Sequence, residues 1–143
     1  MTDFCGNGSP LTMNGLQAAK CCAEVGLAEI WSVFSVETSG CGFLTDRRPK
    51  ILFERHIFSH LTNGKYDAQD PHISAPTAGG YGDSGAYQYD RLASAIQLGS
   101  AAALQSASWG LGQIMGENFR KAGFDDIETM VSDMVFLDKK IIV

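Results

Sequence analysis

The chain has no long uninterrupted apolar run, no surplus of basic charge and no paired-cysteine motif, and each absence removes a class of function. Its most apolar stretch, Leu16 to Val36, is broken by Lys20, Glu24, Gly26 and Glu29, so it does not read as a membrane span. Met1 to Gly6 shows no basic segment followed by an apolar one, so no secretory signal is read and the product is expected to be made soluble in the cytoplasm. Eleven basic residues against sixteen acidic give a net charge of −5 and a pI near 5.0. That balance argues against a nucleic-acid module and against a polybasic membrane surface. The cysteines, Cys5, Cys21, Cys22 and Cys41, form no Cys-x-x-Cys pair, and the adjacent two would face different directions on a helix. They are expected to be reduced apolar fillers rather than a disulfide framework. His56 and His60 are four apart on a predicted helix, a spacing that could share a metal, but no His-Glu-x-x-His order is present and His72 falls in a loop. Neither a metal nor another cofactor is expected, and no obligate protein partner is evident.

What remains is a chain of 143 residues, which suits one domain and can bury roughly 68–70% of its unfolded surface. Residues 1–10 are Gly- and Ser-rich and are expected to be flexible; residues 11–143 are read as a single mostly α domain. Thr12 is a helix cap before Leu16, Ala19, Cys22 and Ala23, with Gly26 expected to end that helix. A second helix is predicted from Leu27 to Thr38, apolar around most of its circumference and so expected to be the buried central helix. Phe43-Leu44 and Lys50 to Glu54 flank a polar turn containing Pro49 and suggest a small β-hairpin. Helical spacing returns over Arg55–Leu61, Tyr87–Leu98, Ala101–Leu104 and Phe124–Val135. Lys65 to Gly85 is a long aperiodic loop, a kind often functional. Ser106 to Gly116 reads as a turn of small residues leading into a further helix.

One carboxylate stands out. Glu37 ends the apolar helix, where the negative helix terminus and an apolar pocket would both disfavour its ionisation and raise its pKa. A carboxylic acid held protonated near neutral pH is what general-acid cleavage of a glycoside requires.

Four stretches occur in one order: Val36-Glu37-Thr38-Ser39-Gly40-Cys41-Gly42-Phe43, Arg48-Pro49-Lys50-Ile51-Leu52-Phe53-Glu54-Arg55-His56-Ile57-Phe58, Gly79-Gly80-Tyr81-Gly82, and Ser106 to Gly116. Together they resemble the N-acetylmuramidase domain of phage and prophage endolysins, in the lysozyme superfamily, over roughly Leu11 to Met134. The resemblance implies a lysozyme-like fold and hydrolysis of the β-1,4 bond between N-acetylmuramic acid and N-acetylglucosamine in peptidoglycan. It implies Glu37 as general acid and Glu54, seventeen positions on, as the second carboxylate. A carboxyl separation of about 5–5.5 Å would mean retention and about 6.5–9.5 Å inversion. Tyr81, Ser108, Gln113 and His56 are the substrate-binding candidates: Tyr81 offers a stacking face, while Ser108 and Gln113 resemble the polar residues of the cleft floor. Trp109 is expected in the core. A structural alternative for Glu54 is a salt bridge to Arg48 or Arg55.

The implied partner is the glycan strand of peptidoglycan, reached after holin-type release. Two departures from the family pattern stand out. Arg47 occupies a turn position where the family usually has Gly, so a positive φ there would cost about 1–2 kcal/mol. The chain also ends at Val143 in an apolar tail, Val135 to Val143, in place of the family's C-terminal helices, and reads as truncated. A lytic transglycosylase forming 1,6-anhydro ends, or an inactive remnant that at most binds glycan, are the alternative readings.

Overall fold

In the computed structural model the described residues are 3–8, 12–37 and 42–136, with the backbone alone described for residues 18, 19, 21–23 and 33–37. The apolar tail beyond residue 136 and the Thr38-Ser39-Gly40-Cys41 part of the first motif, with Thr38 the expected end of the second helix, therefore lie outside the described residues. Among those described, six α-helices surround one small antiparallel sheet. The architecture is mostly α, as the sequence predicts.

The first helix, α1 (Met13–Ala23), starts where Thr12 accepts the Gly15 N–H at 3.1 Å, satisfying one of the donors that a helix start leaves unpaired. It stops earlier than expected. Glu24 takes the left-handed conformation (φ 53°, ψ 34°) that closes the helix, and Gly26 instead supplies the carbonyl that opens α2 (Leu27–Glu37) by accepting from Ile30 N–H.

The expected burial of α2 holds only in part. Ile30 is buried, but Leu27 is 37% and Trp31 55% exposed. An all-round apolar pattern permits burial without saying what lies against each face. The core forms instead where α4 (Ala86–Leu98), α5 (Ser100–Gln105) and α6 (Ile127–Phe136) close over the sheet. Phe53, Phe58, Leu92, Trp109 and Met130 are completely buried there.

The hairpin is present and differently paired. Phe43 and Pro49 bridge antiparallel, Leu44 N–H donates to Arg48 O at 2.8 Å, and Asp46 pairs with Arg48 at 2.7 Å. That guanidinium holds the Asp46 carboxyl below its usual range. Arg47 sits at φ 68°, the strained position that the missing turn glycine foretold. The next strand, β1 (Ile51–Phe53), pairs elsewhere: with β2 (Ala107–Trp109), which pairs with β3 (Ile114–Met115).

Ser106 to Gly116, read as a turn leading into a helix, is thus a second hairpin, and the helix that follows it is a single 3-10 turn, Gly116–Asn118. Trp109 and Ala107 are drawn fully into the core, and Gly110 (φ 68°) and Gln113 (φ 46°) supply the left-handed turn. A three-residue alternation is too short to be told from a helical turn in sequence. After β1 come α3 (Arg55–Leu61) and a loop that closes on Asn63 and Gly64, both left-handed.

The N-terminal segment, expected to be frayed, is packed over residues 3–8. Phe4 lies 5.5 Å from the Tyr89 ring and 5.6 Å from Trp109, and Gly6 N–H donates to Arg47 O at 3.3 Å. A single partly buried aromatic, packed on two core rings, supplies apolar contact that holds this Gly-containing segment. Among the described residues no helix is long and apolar enough to cross a membrane.

Candidate active site

An open cleft of about 520 Å³ runs between the Gly42–Lys50 hairpin, β1, the Ser84-Gly85 turn and the β2–β3 turn. Lys50, Ile51 and Leu52 of this strand line it, as does Gln113, whereas Glu54, His56, Tyr81 and Ser108 are not among the lining residues. Alternation along an extended chain places Lys50, Leu52 and Glu54 on one face and Ile51 and Phe53 on the other. Glu54 continues the extended backbone (φ −104°, ψ 96°), and its N–H donates to Ser106 O at 2.8 Å. By this alternation Glu54 shares the strand face of Lys50 and Leu52, directly before α3 and beyond the residues that line the cleft.

Its surroundings leave it underused. The Glu54 side chain is 18% exposed, with Oε2 3.2 Å from His56 Nδ1. Neither atom has hydrogen-bond alignment with any partner. Arg48 and Arg55 do not take the salt-bridge role: Arg48 is held by Asp46, and Arg55 donates through Nη1 to Pro71 O at 3.0 Å. A buried carboxylate oxygen with no donor carries a desolvation cost that structure normally avoids. Such an atom is suited to receive a proton, a water or a substrate group.

Ser108 and Gln113 are brought together. Ser108 Oγ donates to Gln113 Oε1 at 2.8 Å, and Gln113 Nε2 donates to Gly110 O at 2.8 Å and Lys50 O at 3.2 Å. Both amide hydrogens of Gln113 are spent on backbone, so this side chain ties the β2–β3 turn to β1 while lining the cleft. Trp109 is core, as expected, donating Nε1–H to Leu104 O at 3.0 Å.

Tyr81 sits on the long loop, an exposed residue with its carbonyl anchored by Gln88 Nε2 at 2.7 Å and Arg91 Nη1 at 3.1 Å. The flanking glycines need their freedom. Gly80 and Gly82 have φ of 67° and 66°, and a Cβ on Gly82 would collide with the Tyr87 ring. Gly82→Ala is expected to lower stability by about 1–2 kcal/mol and to displace the ring. Gly79→Ala, left-handed but with nothing within 4 Å, should cost less; urea unfolding of both variants measures the difference.

For Glu37 the backbone places the residue at the last position of α2, five residues before Gly42 of the cleft wall; its side chain lies outside the description. Among the described residues no three His, Cys, Asp or Glu side chains gather as metal ligands. Cys5 is a free thiol donating to Asp46 O at 3.1 Å.

The N-acetylmuramidase family model matches residues 26–140, which span the α2 terminus, β1, the long loop and the β2–β3 hairpin. The chain belongs to the N-acetylmuramidase family. It is similar in structure to a Burkholderia AP3 phage endolysin, with 40% identity and a TM-score of 0.78, over 87% of this chain and 48% of that one. The chain thus spans about half the length of that relative. A search of curated proteins returned no match. Fold and family agree with the lysozyme-like, mostly α class read from the motifs.

Three residues were not singled out from sequence: Lys50, which lines this muramidase-family cleft, and Gln88 and Arg91, which hold the backbone of Phe53 on β1. The signal for the last two was available. Gln88, Arg91, Leu92 and Ala95 follow the i, i+3, i+4, i+7 spacing of one helix face, and all four are buried. Two polar side chains in a core row mark groups committed to specific partners.

Proposed function

We propose that this chain is a peptidoglycan hydrolase that cleaves the β-1,4 bond between N-acetylmuramic acid and N-acetylglucosamine, as an endolysin-type muramidase. The observation that carries the reading within the family is the Glu54 carboxylate, mostly buried, with one oxygen lacking a donor, on the same strand face as the cleft residues Lys50 and Leu52. Glu37, at the carboxyl end of α2, acts as general acid and protonates the glycosidic oxygen as the bond breaks. Glu54 is the second carboxylate, balancing the developing positive charge on the sugar and directing the oxygen that replaces the leaving group. Tyr81 is exposed and offers its ring to the apolar face of a sugar, and His56 sits against Glu54 as part of the same binding wall. Ser108 and Gln113 shape the cleft floor. The natural substrate is the glycan strand of the cell wall, reached once the enzyme has been released across the inner membrane.

The test is mass spectrometry of the muropeptides released from purified peptidoglycan. Reducing N-acetylmuramic acid ends are expected. Products carrying 1,6-anhydro ends would reassign the chain to lytic transglycosylases, and no product from a folded protein would leave a glycan-binding remnant.

A further inference from the structure

Gln88 and Arg91, one helical turn apart on α4, touch both the strand that carries Glu54 and the loop that carries Tyr81. Arg91 is 4% exposed and Gln88 1%. Arg91 Nη1 donates to Phe53 O at 3.0 Å and Tyr81 O at 3.1 Å, and Nη2 donates to His72 O at 2.8 Å. Gln88 repeats the pattern with the opposite polarity. Its Oε1 accepts the Phe53 N–H at 3.0 Å, and its Nε2 donates to Tyr81 O and Asp83 O, both at 2.7 Å. The two side chains also meet, Arg91 Nη1 to Gln88 Oε1 at 3.4 Å. Phe53 is thus gripped at both its N–H and its C=O, immediately before Glu54. Tyr81 O receives two of the donors.

The chemistry is unusual for a core. A buried guanidinium is normally paired with a carboxylate, yet among the described residues no ion pair includes Arg91. Burial pushes its pKa below the ordinary value, so the site bears a desolvation cost that well-packed apolar side chains would avoid. Its compensation is a set of backbone carbonyls from two segments far apart in sequence. The planar fork of arginine can hold several such acceptors in fixed directions, which an ammonium cannot.

We propose that Arg91 and Gln88 form a positioning clamp that fixes the Glu54 strand end against the Tyr81 loop, setting how these two candidate site residues stand relative to each other. The clamp acts through Glu54 and Tyr81, so its catalytic consequence rests on the muramidase reading above. Its mechanical part does not.

The experiment compares the wild type with Arg91→Lys and Gln88→Met. Amide exchange resolved by NMR is expected to rise at least tenfold at Phe53, whose N–H Gln88 accepts, and at Glu54 in both variants, with β2, α5 and α6 unchanged. Unchanged exchange, or a uniform rise across the chain, would overturn the clamp, and this readout needs no turnover. Should Arg91→Lys not fold, Gln88→Met, which leaves the cation in place, carries the same expectation. On peptidoglycan, kcat of Arg91→Lys should fall about 100-fold, the scale for misplaced catalytic groups, with a smaller change in KM. That loss should vanish in a Glu54→Gln background, whereas a merely destabilised fold would give additive losses. The exchange pattern without turnover by the wild type would sink the muramidase reading and leave the clamp standing.

Discussion

Glu37→Gln is expected to slow release of muropeptides by about 10²–10⁴-fold, the range that a positioned general acid contributes, without changing the unfolding midpoint. The two halves of that expectation have separate causes. The rate depends on a transferable proton, and an amide of nearly the same shape has none to give at any working pH. The stability should hold because Glu37 is the last residue of α2. There a neutral amide meets the negative end of the helix at least as well as a carboxylate does. Glu54→Gln is the companion. Its Oε2 is buried beside His56 Nδ1 at 3.2 Å, and an amide of nearly the same shape keeps the packing while removing the carboxylate, so this variant should stay folded while losing turnover. Muropeptide release at fixed enzyme concentration, with thermal melts of all three proteins, decides both. Undiminished release by Glu37→Gln would remove the residue from the mechanism.

The two carboxylates also show which parts of this protein were legible in its sequence. Glu37 and Glu54 were singled out because each belongs to a contiguous motif, and the structure keeps those motifs in local elements: Glu37 at the end of α2 and Glu54 between β1 and α3. The helices α3, α4 and α6 were legible for the same reason, since a spacing of three and four residues reports a local period. The Phe43–Pro49 turn was legible down to the left-handed Arg47. Sheet partners were not. The pairing of Ile51 with Trp109 joins residues more than fifty positions apart, and nothing within either three-residue strand names its partner. Burial of α2 was over-read, because Trp31 and Leu27 are apolar without being covered. The clamp was missed because Gln88 and Arg91 act on backbone atoms of distant segments, and a backbone atom has no sequence signature.

Trp109→Ala is expected to cost about 3–5 kcal/mol, the range for truncating a fully buried large aromatic. That is a large part of the 5–15 kcal/mol by which single domains are typically stable. The position concentrates several roles. Trp109 is completely buried, occupies the central strand opposite both Ile51 and Ile114, and supports Phe4 of the N-terminal segment at 5.6 Å. Its indole N–H also satisfies Leu104 O at the end of α5. Truncation would therefore leave a cavity, strip an acceptor of its donor and release residues 3–8 together. Trp31 provides the internal comparison. At 55% exposed, its replacement by Ala should change stability by no more than about 1 kcal/mol. Urea unfolding followed by far-UV circular dichroism, which needs neither indole, gives both values on one scale. The cleft follows from the same packing: Ser108, Gln113 and Lys50 are joined across the strands that Trp109 anchors, so the folded fraction of Trp109→Ala should lose glycan cleavage as well as stability. Equal midpoints for the two tryptophan variants would show that the sheet does not depend on this core.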